Sequence, residues 1–249
     1  DLSRPPFPQD IALERPFLSS FPYEDTPDQV RAWHEISDDL SANFPMDRLL
    51  CGDVGFGKTE LAIRAAFRVV LSKKRVVVLS PTTILANQLR SSFSARLEPN
   101  AITVDMVSRF RSQKELISVK KSIEENNNDV LIGTHAVLNS DIYLKNIGLL
   151  IVDEEHRFGV KHKEKIKRFK SCVDVLSMSA TPIPRSMNLA LSGIYSVSML
   201  QTAPRLRLPI KTQIEYYNER IIKEAVDFEV GRGGQVYFVH NDIDSIQNV

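Results

Sequence analysis

The chain has 249 residues, 43% of them hydrophobic and 25% charged, enough to bury one full domain and part of another. Its formal net charge of +1 excludes a uniformly basic surface, so any nucleic-acid contact must come from local clusters. No apolar run approaches the eighteen or so residues of a membrane span, no signal-peptide pattern opens the chain, and Cys51 and Cys172 form neither a disulfide framework nor a metal spacing; a cytoplasmic location with no membrane partner is expected.

In chain order, the first twenty residues carry Pro5, Pro6, Pro8 and Pro16, which argues against a continuous helix and for an extended linker over 1–20. Thr26-Pro27-Asp28-Gln29 reads as a helix start: Thr26 as N-cap, Pro27 at the first helical position and Gln29 closing a capping box, with the helix over 27–40. A strand over 48–51 then leads into Gly52-Asp53-Val54-Gly55-Phe56-Gly57-Lys58-Thr59, which matches the phosphate-binding pattern GxxxxGK[ST]. Gly52, Gly55 and Gly57 allow a sharp turn that aims successive N–H groups at phosphate oxygens. Lys58 is placed to reach the β- and γ-phosphates, and the Thr59 hydroxyl to sit on Mg²⁺. The helix over 58–71, with Leu61, Ala62, Ala65, Ala66, Val69 and Val70 at helical spacing, adds its positive N-terminal end.

Further strands are expected over 76–80, 102–107, 129–133 and 148–152, with helices over 84–96 and 112–126 between them. The strand at 148–152 is a continuous apolar run, as in a strand buried on both faces, and it ends in Asp153-Glu154-Glu155-His156. In an open parallel sheet that edge binds ligands, so Asp153 can bind Mg²⁺ through water and Glu154 can orient or deprotonate an attacking water. His156 has no His or Cys partner at ligand spacing, and hydrogen bonding between the nucleotide site and a neighbouring motif suits it better than zinc. Between Arg157 and Lys170 stand seven basic residues against Glu164, either a solvated helix face over 160–170 or a phosphate-backbone contact. Arg109, Arg111 and Lys114 form a second basic cluster able to meet a phosphate backbone.

The remaining expectations are strands over 174–179, 196–200, 210–216 and 235–239 and helices over 185–192 and 219–230, with a boundary around Thr202 to Pro209. Strands alternating with helices imply an α/β fold: a mostly parallel sheet with helices on both faces.

The ordered series Gly52–Thr59, Pro81-Thr82-Thr83, Gly133-Thr134-His135, Asp153-Glu154-Glu155-His156 and Ser179-Ala180-Thr181-Pro182 resembles motifs I, Ia, Ic, II and III of superfamily 2 helicases. Met46-Asp47-Arg48, Ser108-Arg109-Phe110-Arg111, Arg157 to Glu164 and Thr181 to Arg185 further resemble the bacterial transcription-repair coupling factors, from Phe21 onward. RecG helicases share the Pro-Ile-Pro-Arg and Arg-Phe-Gly-Val segments, but typically have Gln at the position of Glu155 and lack Ser-Arg-Phe-Arg.

The resemblance implies a first RecA-like lobe of the P-loop NTPase type over 21–203 and the truncated start of a second over 204–249. It implies ATP and Mg²⁺ as ligands, with Phe21 stacking on adenine and Gln29 reading its edge. It implies double-stranded DNA contacted by Thr82, Thr83, Thr134 and His135, and coupling of the ATP site to the DNA side through Glu155, His156, Ser179 and Thr181. RNA polymerase and UvrA would be partners through regions outside this chain, displacing stalled polymerase and recruiting excision repair. The arginine that completes such an ATP site comes from later motifs of the second lobe, so hydrolysis by these 249 residues alone is expected to be slow or undetectable. A RecG-like remodelling helicase and a non-catalytic nucleotide- or DNA-binding module are the alternatives.

Overall fold

The structure is a computed structural model that describes residues 3–107, 113–125, 128–139, 145–169, 171–180, 196–205 and 212–241. The chain divides into two units, Asp1–Arg207 and Leu208–Val249.

The first unit is built on a seven-stranded sheet: β1 Asp47–Gly52, β2 Arg75–Leu79, β3 Val104–Val107, β4 Val130–Gly133, β5 Ile147–Asp153, β6 Asp174–Ser179 and β7 Ser196–Leu200. The strand order is β3-β4-β2-β5-β6-β1-β7, and every neighbouring pair is parallel. Alternate residues of the apolar runs explain why both faces are covered. Val76, Val78, Leu149, Ile151, Leu176 and Met178 join one core with α1 Ile11–Ser19, α2 Pro27–Ser41, α3 Lys58–Leu71 and α4 Thr83–Leu97. Val77, Leu79, Leu150, Val152 and Val175 join the other with Val119 and Ile123 of α5 Gln113–Glu124 and Ile166 of α6 Val160–Phe169.

The helices and strands expected between 27 and 179 are present to within a few residues; the helix expected over 185–192 lies outside the described residues. The main departure is at the N-terminus. The stretch taken as an extended linker over 1–20 is docked on the sheet unit from Arg4 onward, and despite Pro16 it contains α1. Asp10 caps that helix, accepting from Leu13 N at 3.2 Å. Tertiary contacts override the proline penalty: Phe17 stacks on Phe67 with ring centroids 3.9 Å apart, and Glu14 takes both prongs of the Arg68 guanidinium at 2.7 Å. Arg4 binds Asp174 and the carbonyls of Leu40 and Ala42.

In the second unit the described residues 212–241 contain one helix, α7 Glu219–Gly231, capped by Asn218. The strands expected there are absent from residues 212–216 and 235–239, where the chain has no regular structure. An isolated apolar run needs a neighbouring strand to pair with, and none is present among the described residues of that unit. No helix among the described residues is long and apolar enough to cross a membrane.

Candidate active site

Parallel strands bring their C-terminal ends to one edge, and there β6 lies between β1 and β5. The residue that precedes the phosphate loop, Cys51, pairs with Ser179, and Asp153 pairs with Met178. Loop and carboxylates are thus two strand spacings apart, about 10 Å.

The loop folds as its sequence demands. Gly55 and Gly57 have φ of +81° and +84°, in the left-handed region that glycine tolerates, and α3 starts at Lys58. The Lys58 ammonium donates to the carbonyls of Gly52 at 2.5 Å and Asp53 at 3.0 Å. Burial pushes its pKa below the usual value, opposed by the charges of Glu154, Asp153 and Asp53. Asp53 accepts from Val54 N at 2.7 Å, and Phe56 points its ring into the core while its carbonyl accepts from Gln29 Nε2 at 2.9 Å.

On the facing strand, burial first and the neighbouring Glu154 second push the Asp153 carboxyl up to about 6, against the pull of Lys58 and Arg157. Glu154 is a non-glycine residue at φ +51°, a strained conformation held by its N–H donating to Met178 O at 2.9 Å. Its Oε1 accepts from Ala180 N at 3.0 Å, and its Oε2 lies 3.3 Å from His156 Nδ1. Glu155 accepts from Ser177 Oγ at 2.6 Å. The segment around Ser179 therefore meets the acidic motif through Ser177 and the backbone of Ala180, donors the sequence reading missed because strand register, not residue type, selects them. Ser179 itself is buried at the end of β6, and Thr181 lies outside the described residues.

These groups face one cavity of about 880 Å³ whose lining brings Val54, Gly55, Gly57, Lys58, Thr59, Glu60, Asp153, Glu154, Arg157 and Ala180 together with Phe21, Tyr23, Glu24, Gln29, Leu85, Gln88, Leu89, Ser92 and Pro204. Of the residues expected to bind nucleotide, Gly52, Asp53 and Phe56 support the loop from outside this lining. Arg157, read as part of a basic run, faces the cavity, and so does α4 through Leu85, Gln88, Leu89 and Ser92. The capping box is present: Thr26 Oγ1 accepts from Gln29 N at 3.3 Å and Gln29 Oε1 accepts from Thr26 N at 2.8 Å. Gln29 keeps one N–H and one lone pair beyond its bonds to Thr26 and Phe56.

Thr82 and Thr83 follow β2, and Thr134 and His135 follow its neighbour β4, so all four stand at the same sheet edge. The cap of α4 is Thr82, accepting from Leu85 N at 3.3 Å; it has the extended backbone that a cap needs. Thr134 is buried, and the His135 ring stands 4.6 Å from that of His162 on α6. Arg109 and Arg111 lie outside the described residues. No group of three or more metal-binding side chains exists among the described residues.

A glycine-rich loop between a strand and a helix, facing paired carboxylates at the C-terminal edge of a parallel sheet, defines a phosphate-loop nucleotide-binding domain with the RecA-like helicase fold. Residues 26–189 match the DEAD/DEAH box helicase family, and the chain belongs to it.

The transcription-repair-coupling factor of Bacillus subtilis (strain 168) is 47% identical over 241 residues, covering 97% of this chain and 20% of that protein. That of Escherichia coli (strain K12) is 49% identical over 231 residues, covering 93% and 20%. The chain thus spans about a fifth of the length of these relatives. Among solved structures, RecG bound to a three-way DNA junction is similar with a TM-score of 0.85 and 34% identity, over 99% of this chain and 33% of that one. The DUF1998 helicase MrfA shares the fold, with a TM-score of 0.63 and 14% identity over 94% of this chain and 39% of that one.

Proposed function

We propose that this chain is the ATP-binding motor lobe of a double-stranded DNA translocase of the transcription-repair-coupling kind, with the lobe over 21–203 and the start of its companion over 204–249. The observation that carries the reading is the meeting of Lys58 and Thr59 with Asp153 and Glu154 around one cavity. The donor set fits Mg²⁺: a hydroxyl on Thr59 and a carboxylate on Asp153 are hard oxygen ligands, and a divalent ion would offset the burial and the Glu154 charge that raise Asp153. Bound there, Mg²⁺ would supply charge neutralisation of the phosphates. The loop N–H groups and Lys58 hold the triphosphate. Glu154 orients the attacking water, its carboxylate fixed by Ala180 N–H and His156. Phe21 stacks on the base and Gln29 reads its edge with the donor and acceptor left over from its cap.

Thr82, Thr83, Thr134 and His135, with Arg109 and Arg111, contact the duplex backbone. Glu155, His156, Ser179 and Thr181 carry the state of the nucleotide to them. In a whole protein of this kind, in the cytoplasm, the movement would displace stalled RNA polymerase and recruit excision repair through UvrA, by way of regions beyond these residues. The identities of 47% and 49% favour this over a RecG-like remodelling role at 34%.

The test is equilibrium binding of a fluorescent ATP analogue with Mg²⁺. Lys58→Ala should lose on the order of a hundredfold in affinity, as expected when a charge-assisted contact to phosphate goes. Glu154→Gln should bind as the parent does. Equal binding by the parent and Lys58→Ala removes the assignment.

A further inference from the structure

We propose that Arg96, acting with Glu60 and Arg64, is a positioning residue of the nucleotide site: it seats Phe21 as the platform for the base. The inference rests on the base-site reading of Phe21 given above.

Glu60 comes directly after Thr59, in the first turn of the helix that opens at the phosphate loop. Its buried carboxylate is shared by two cations. Oε1 accepts from Arg64 Nε at 3.0 Å and from an Arg96 terminal nitrogen at 2.9 Å, while Oε2 accepts from Arg96 Nε at 3.1 Å. Arg64 then forks onto Asp25 at 2.7 and 3.0 Å. Arg96 reaches Ser20 Oγ at 2.7 Å and the Phe17 carbonyl at 3.1 Å. Phe17 and Ser20 precede Phe21, and Asp25 follows it, so the segment carrying the ring is pinned at both ends. Between the pins, the guanidinium carbons of Arg64 and Arg96 lie 5.2 and 5.6 Å from the Phe21 centroid, within cation–π range.

Three physical points make this a device for the site and not only a brace. A ring on an unsupported loop gives up much of its stacking energy to the cost of being ordered, and a pre-seated ring does not. Two cations sharing one carboxylate also need fixed geometry: an arginine fork holds its donors in one plane at fixed angles, whereas a lysine ammonium is a point charge with rotating donors. Finally, the shared carboxylate belongs to the first turn of α3, so the base platform is anchored to the helix that opens at the phosphate loop. Arg96 does not line the cavity, whereas Phe21 and Glu60 do, so its effect on the base is exerted through the segment that carries Phe21.

The experiment is calorimetric titration with ATP and, separately, with tripolyphosphate, both with Mg²⁺, on the parent, Phe21→Ala, Arg96→Lys and the double variant. Loss of the base platform is expected to weaken ATP about threefold to tenfold in Arg96→Lys and leave tripolyphosphate unchanged. The double variant should be no weaker than Phe21→Ala alone. If Phe21→Ala binds ATP as the parent does, the base-site reading itself fails and takes the inference with it. If Phe21→Ala weakens ATP but Arg96→Lys does not, the base-site reading stands and the role of Arg96 is overturned. An equal loss for ATP and tripolyphosphate in Arg96→Lys also overturns it, since that is what a general brace would give. Arg96→Gln supplies the same comparison should the lysine variant fail to fold.

Discussion

Gly57 shows how closely one backbone position ties the glycine-rich loop to α2 at the cavity. Its φ of +84° suits glycine, and a Cβ there would stand 2.2 Å from Gln29 Nε2, the group that ties α2 to the loop through the Phe56 carbonyl. Gly57→Ala is expected to cost about 1–3 kcal/mol in urea unfolding and to weaken nucleotide binding as well, because the backbone is strained for alanine and Gln29 Nε2 must leave the Phe56 carbonyl. Asp174 gives a pH signature. Burial raises its carboxyl to about 6, against the hydrogen bond from Met46 N–H and the charge of Arg4. The native state therefore holds this proton more tightly than the unfolded chain, whose carboxyl titrates near 3.8. Its contribution to stability is fully present below about pH 4 and is lost as pH rises through 6, by on the order of 3 kcal/mol. Urea unfolding of the parent and Asp174→Asn at pH 4 and pH 7.5 checks this: the parent should lose ground to the variant as pH rises, and a constant difference would rule it out.

At the scale of elements, α1 depends on one buried ion pair. The Arg68 side chain is fully buried and its partner Glu14 3% exposed, so Glu14→Gln leaves a desolvated guanidinium short of its countercharge. A loss of about 3–5 kcal/mol is expected on urea unfolding, with a much smaller loss when both residues are replaced by apolar ones of similar volume. The same pair explains what the sequence hid. Most strands from Asp47 to Ser179 are legible as apolar runs bounded by turn residues, α2 through its local capping box, and α3 as the helix that follows the glycine-rich loop. The prolines of the first twenty residues are equally local, and they point the wrong way; the opposing contacts, from Phe67 and Arg68, come from some fifty residues later. The site divides likewise. Gly52 to Thr59 and the Asp153-Glu154 pair are contiguous and can be read directly. Ala180 N–H, Ser177 and the α4 wall enter by strand register and helix rotation, which residue types alone do not encode.

For the whole molecule, the strand order puts the phosphate loop in an unusual temporal position. β1 comes first in sequence, yet its two sheet neighbours are β6 and β7, which come last, ending at Leu200. A chain growing from its N-terminus at about 5–20 residues per second would carry the loop for roughly 6–24 seconds before either neighbour exists to hold it. Non-local parallel pairing is slow for the same entropic reason. Chains ending at residue 173 should gain no protection from protease on adding ATP and Mg²⁺, whereas chains ending at residue 205 should; protection of the shorter chain would show that β1 can be ordered without its neighbours. On this strand order, competence to hold nucleotide is expected to appear only once β6 and β7, the strands that flank β1, have been made.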